Sequence, residues 1–160
     1  MNLTNSLPLA AVKLSDVIGQ IESGGNPNAI RFEPLVFASL TNGAMTPAHA
    51  QIVSTIQAIH CCNVKTAQVI YSTSWGLYQV MGFNLYDNGT QESVFHFCAD
   101  RIEQARVFDA KCSTWNINIP PANLASDPAQ RLKFARKYNG ADAYADRIAS
   151  TLKSFGFAVV

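Results

Sequence analysis

Charge is scarce in this chain. Only 14% of its 160 residues are charged, and the formal net charge is +1. No basic stripe is present to neutralise phosphates, so nucleic acid is not an expected partner. Long apolar runs are lacking as well. Residues 7–12, the most apolar run near the start, fall far short of the ~20 residues that cross a bilayer, and no membrane span is expected. No basic residue precedes Lys13, so a secretory leader is not expected either. The cysteines, Cys61, Cys62, Cys98 and Cys112, form no CxxC or histidine-spaced set, which argues against a metal site. Adjacent Cys61 and Cys62 rarely bridge each other, and free, mostly buried thiols are expected. His49, His60 and His96 share no local motif and read as structural or exposed. Internal repeats, low-complexity tracts and interdomain linkers are absent.

What remains is a hydrophobic fraction of 48%, enough for one globular domain with a real core. A monomer is expected. Val12, Val17, Ile18 and Ile21 lie at helical spacing, so a first helix is expected from about residue 9 or 15 to Glu22, with Ser15-Asp16 able to cap its start. Gly24-Gly25-Asn26-Pro27 ends it. Residues 29–40 read as irregular or weakly extended. Thr46-Pro47 starts a second helix running to about His60, and Asn63 can cap a short one to Tyr71. A glycine turn at Ser74 to Tyr78 leads into Val80-Met81. The longest helix is expected over about residues 92–112, where Val94, Phe97, Cys98, Ile102, Ala105 and Phe108 repeat at three and four. Residues 117–126, with Pro120-Pro121, read as a loop. Asp127-Pro128 starts a helix to about Tyr138, broken by Asn139-Gly140, and a last helix over about 142–155 is closed by Gly156.

Two segments carry the chemistry. Residues 21–37, IESGGNPNAIRFEPLVF, put Glu22 at the end of an apolar-periodic stretch just before the glycine break. Residues 72–84, STSWGLYQVMGFN, form a glycine turn carrying aromatic and amide groups. Cleaving a glycosidic bond requires a proton on the leaving oxygen, and a carboxyl kept protonated among apolar groups can supply it. In order and spacing the two segments resemble the lysozyme-like muramidases and lytic transglycosylases, and most fully the N-acetylmuramidase family found in phage endolysins. Ser74-Trp75-Gly76-Leu77-Tyr78-Gln79 is similar to that family's Ser-Trp-Gly-Leu-Gly-Gln segment, with Tyr78 standing where glycine is frequent. Arg31-Phe32-Glu33-Pro34 holds a Phe-Glu pair at the family's distance from the acid. Lys137-Tyr138-Asn139-Gly140 resembles the element that closes the family's cleft. Tyr144-Ala-Asp146-Arg147 resembles a further run that reads as structural. The resemblance covers residues 21–155 and is weakest over 113–125.

The resemblance implies a mainly α, lysozyme-like fold with a long central helix and a small β-hairpin or loop lobe, as a single catalytic domain over residues 1–160. It implies cleavage of the β-1,4 bond between N-acetylmuramic acid and N-acetylglucosamine in peptidoglycan, with Glu22 as general acid and no metal or organic cofactor. Glu33 is either a second catalytic carboxylate or an anion paired with Arg31 or a helix N-terminus. Trp75 either stacks on a sugar or anchors the core. Tyr78 narrows the cleft or adds a stacking surface. Gly76 lets backbone approach sugar, and Gln79 offers a donor and an acceptor to N-acetyl groups. Asn84 reads as a wall residue or turn former, and Tyr138 as pointing its hydroxyl toward the acid or a sugar. Asn139 is a contact residue or a helix stop. The expected partner is the glycan strand of the wall. At a net charge of +1, binding to that anionic polymer must rest on shape and local charge. The resemblance further implies synthesis in a host cytoplasm, release by a holin, and action on periplasmic peptidoglycan, or else a virion-associated role. The alternatives are a lytic transglycosylase forming 1,6-anhydro products and a catalytically silent glycan-binding virion module.

Overall fold

The computed structural model describes residues 8–43, 45–87 and 92–160; Leu7, one end of the apolar run noted above, lies outside them. After a 3-10 turn at Leu9–Ala11, the order is α1 (Leu14–Ser23), β1 (Ile30–Phe32), α2 (Pro34–Thr41), α3 (Pro47–His60), α4 (Val64–Tyr71), β2 (Thr73–Trp75), β3 (Val80–Met81), α5 (Gly82–Asp87), α6 (Val94–Ala99), α7 (Arg101–Thr114), α8 (Pro121–Ser126), α9 (Pro128–Tyr138) and α10 (Tyr144–Ser154). The architecture is mainly helical with a small antiparallel sheet, as the resemblance implies. No helix among the described residues is long and apolar enough to cross a membrane. The chain gathers into two compact units, residues 1–25 with 108–160 and residues 26–107.

In the first unit, Leu14, Val17, Ile18 and Ile21 of α1 are buried at three- and four-residue spacing, and the helix packs on α10. Tyr144, Ile148 and Leu152 form the facing stripe of α10. The N-cap of α1 is Lys13 rather than Ser15. Its N–H donates to the Asp16 carboxylate at 2.8 Å, so the helix begins at Leu14. Asp127 caps α9 as expected, accepting from the N–H groups of Ala129 and Gln130. The expected loop at 117–126 instead contains α8. Pro121 stands at its first position, where a missing N–H costs nothing, so the proline pair starts a helix rather than breaking one. Buried Arg131 donates to the carbonyls of Leu124 at 2.7 Å and Val160 at 2.8 Å, which satisfies an acceptor at the end of α8.

In the second unit, β1, β2 and β3 pair antiparallel, with Ile30 opposite Trp75 and Ser74 opposite Met81. Helix α3 packs on α4 and α5. Thr46 and Asn63 cap α3 and α4 through His49 N–H and Thr66 N–H. Two expectations fail here. Residues 34–41 are helical, because Pro34 sets the first turn after a strand of only three residues. Leu40 is the one fully buried residue of this helix and Leu35 is 86% exposed, so no apolar stripe announced it. The long helix expected over 92–112 is two helices. Asp100 is extended (φ −107°, ψ 99°), and its carboxylate accepts from the N–H groups of Ile102 and Glu103, ending α6 and starting α7. The apolar repeat crosses this break only if Ile102 belongs to the stripe, and Ile102 is 82% exposed.

All four cysteines are free. Cys98 and Cys112 are buried, Cys62 is half-buried and Cys61 exposed, so mostly buried thiols are found for two of the four. Burial pushes the Cys112 thiol up to about 12, which leaves it unreactive at neutral pH.

Candidate active site

In the first unit, Glu22 is the penultimate residue of α1. Gly24 adopts a left-handed conformation (φ 64°) and turns its N–H back to the Gln20 carbonyl at 3.1 Å, ending the helix. One of the carbonyls orphaned at this helix end, that of Ile21, accepts from the Arg147 guanidinium at 2.6 Å. Glu22 is half-buried, and its Oε1 accepts from the Tyr144 hydroxyl at 2.5 Å. Tyr144 is 2% exposed. Burial foremost, then the neighbouring Tyr138 and Glu22, hold its hydroxyl well above the usual phenol range, so it remains a proton donor. The Arg147 guanidinium lies 5.4 Å from the centre of the Tyr144 ring. On another side Tyr138 stacks on Tyr144 with ring centres 5.8 Å apart, and on Phe134 at 5.4 Å.

The tyrosine found on Glu22 is therefore Tyr144, from the run read as structural. Tyr138, expected to point its hydroxyl toward the acid or a sugar, contributes its ring to the aromatic stack behind Tyr144. Asn139 is exposed and acts as the C-cap of α9, its N–H donating to the Ala135 carbonyl at 2.9 Å. A sequence signal for Tyr144 existed. It sits on the buried stripe of α10, and a phenol in a core normally has a partner for its hydroxyl.

In the second unit, Glu33 follows β1 and is the N-cap of α2, its N–H donating to the Ser72 carbonyl at 2.9 Å. Its Oε1 lies 2.6 Å from Arg31 Nε and 3.3 Å from the Ser74 hydroxyl. Ser74 Oγ is also 3.1 Å from Met81 Sδ, across the β2–β3 pair. Trp75 is buried with its indole N–H donating to the Ile70 carbonyl at 3.2 Å, which makes it a core anchor. Tyr78 is buried too. Gln79, at φ 48°, donates its side-chain amide to the carbonyls of Ala29 and Gly76, so its donor groups hold the turn. Gly76 has a different use from the one expected. A Cβ there would lie 2.6 Å from Gln104 Oε1, so the glycine admits a buried glutamine rather than a sugar.

Gln104 is the residue that sequence reasoning missed in this unit. It is fully buried, accepts from Leu77 N–H at 2.6 Å, and donates to the carbonyls of Pro27, Phe97 and Cys98. Its one signal is a polar side chain falling seven residues after Phe97 on an apolar repeat. Asn84, half-buried on α5, is part of the wall of a groove of about 620 Å³ with Leu35, His49, Tyr71, Phe83 and Asp87. Among the described residues, no group of three or more His, Cys, Asp or Glu side chains is placed to hold a metal ion.

Comparison with known proteins agrees with this chemistry. Residues 15–156 match the family model described as Muramidase, N-acetylmuramidase. The chain is 40% identical over 146 residues to the endolysin of Enterobacteria phage PRD1, an alignment spanning 89% of this chain and 96% of that protein. No solved structure matches it significantly. A half-buried carboxylic acid held at a helix end thus lies in a chain that belongs to the N-acetylmuramidase family and is a peptidoglycan hydrolase.

Proposed function

We propose that this protein cleaves the β-1,4 bond between N-acetylmuramic acid and N-acetylglucosamine, with Glu22 as general acid and Tyr144 as the residue that positions it. The hydrogen bond from Tyr144 to Glu22 carries the reading. It fixes Oε1 and leaves Oε2 as the oxygen that carries the proton. Glu22 gives that proton to the leaving glycosidic oxygen as the bond to the anomeric carbon breaks. Positive charge develops on the sugar ring, water adds at the anomeric carbon, and the proton it sheds passes to a carboxylate. Tyr144 stays neutral throughout, so the pair is not broken when Glu22 changes charge. Arg147 supports the same end of α1 by taking the Ile21 carbonyl.

Glu33 is the second carboxylate of this scheme, either taking the proton from water or facing the developing cation. Asn84 and Tyr138 serve as wall residues for the glycan. The buried positions of Trp75 and Tyr78, and the turn bonds of Gln79, favour support of the wall over direct contact with sugar. By analogy with the relative named an endolysin, the protein acts on host wall peptidoglycan during phage lysis.

One observation favours the lytic transglycosylase as a second reading. Oε1 of Glu33 is engaged by Arg31 and Ser74, so that oxygen already has partners where an attacking water would need one. A transglycosylase needs no base for water, since the muramyl 6-hydroxyl attacks intramolecularly. Mass spectrometry of sacculi digested by the protein separates the two. Hydrated reducing ends are expected. Products lighter by one water would replace the hydrolase with the transglycosylase.

A further inference from the structure

Peptidoglycan carries short stem peptides with free carboxylates, and the position of this chain's few cations bears on how it holds them. In the first unit, the turn that follows α7 and one face of α9 form a groove of about 620 Å³. Trp115, Ile117 and Leu132 are its apolar part, and Lys133, Arg136 and Lys137 are its cations. Leu132, Lys133, Arg136 and Lys137 fall on one side of α9 by their spacing. Lys111 adds a further cation, its Nζ 4.9 Å from the centre of the Trp115 ring. None of the described acidic residues lines the groove, and of the three lining cations Arg136 is paired, to Asp142 at 2.6 Å. The helix dipole accounts for Arg136 and Lys137 in the last turn of α9. It accounts equally for Lys111 in the last turn of α7, but not for Lys133, which stands before the last turn of α9.

A chain of side-chain contacts also links the groove wall to the proposed acid. Trp115 meets Tyr138 edge-on with ring centres 6.3 Å apart, Tyr138 stacks on Tyr144 at 5.8 Å, and Tyr144 holds Glu22. We propose that this groove is a subsite for the acidic stem peptide of the wall. Its carboxylates meet Lys133 and Lys137, and its aliphatic side chains lie against Trp115 and Leu132. The inference rests on the muramidase reading of the same unit. Trp115 and Ile117 belong to residues 113–125, the stretch least like the resembling family, so the subsite tunes this chain's choice of wall. An anionic lipid surface fits less well, because the apolar part lies inside a concavity with Ile117 fully buried and does not project as a membrane-inserting face does.

The test compares glycan strands that keep their stem peptides with the same strands stripped of peptide by an amidase. The readout is the ratio of kcat/KM on the two substrates, which does not depend on how much enzyme is folded. In the double variant Lys133→Glu, Lys137→Glu that ratio is expected to fall roughly tenfold, since two attractive charge contacts become repulsive. The wild-type ratio is expected to fall as ionic strength rises. A ratio unchanged in the variant overturns the proposal. Loss of binding to phosphatidylglycerol vesicles with an unchanged ratio also overturns it and assigns the groove to lipid. A wild type that opens neither substrate overturns both the subsite and the muramidase reading.

Discussion

Glu22 stands at the end of a ten-residue helix with its carboxyl on the hydroxyl of a tyrosine that is 2% exposed. Glu33 stands at the end of a three-residue strand with its carboxyl on a guanidinium whose side chain is 59% exposed. The contrast separates two ways of holding an acid. A neutral, buried donor holds its carboxyl through a directed bond that salt does not screen, which suits a group that must be kept in one orientation. An exposed guanidinium holds its partner through a charge that solvent and salt screen. The supports differ in strength as well. Tyr144 is locked by the ring of Tyr138, which itself stacks on Phe134, and by the packing of α10 on α1. An exposed ion pair like Arg31–Glu33 contributes at most about 1 kcal/mol. The position of Glu33 depends more on its N–H bond to Ser72 and on the turn that Gln104 holds.

That contrast is open to attack at four places. The largest effect is expected from Gly76→Ala, which puts a methyl group against the buried Gln104 amide at a residue with φ 75°. A loss of roughly 2–3 kcal/mol is expected, read as a drop in urea midpoint. Glu33→Gln keeps the size of the side chain and removes its charge. A fall of roughly thirtyfold in kcat on purified sacculi is expected of a hydrolase, and full activity would make Glu33 a structural anion. Tyr144→Phe keeps the ring stack and removes the hydroxyl. A drop of roughly tenfold in kcat with little change in KM is expected, because the carboxyl loses its fixed orientation. Arg31→Gln should do least. Its effect on stability is expected to be under about 1 kcal/mol and to vanish at high salt.

Much of this was legible in the chain. The stripe of α1, the Thr46-Pro47 and Asp127-Pro128 starts and the Gly24 stop are local signals, and each produced the element expected of it. The place of Glu22, at a helix end just before a glycine break, was legible as well. What escaped was decided by tertiary context. Helix α2 buries too little to show a period, and α8 begins on a proline pair that also suits a loop. The break at Asp100 lies inside an apolar repeat, where a capping carboxylate outweighs the pattern. Tyr144 occupies a core position of α10, so its stripe conceals a hydroxyl that reaches Glu22. Gln104 shows its purpose only once the turn at Gly76 and Leu77 is folded against it.

The central claim is that Glu22 supplies the proton to the leaving oxygen. The most direct measurement compares Glu22→Gln with wild type on two substrates, native glycan strands and a glycan fragment ending in a nitrophenyl group, which departs without being protonated. The account predicts a loss of roughly a thousandfold or more on the native bond and a far smaller loss on the nitrophenyl one. Equal losses on both, or near-normal cleavage of the native strand, would contradict it.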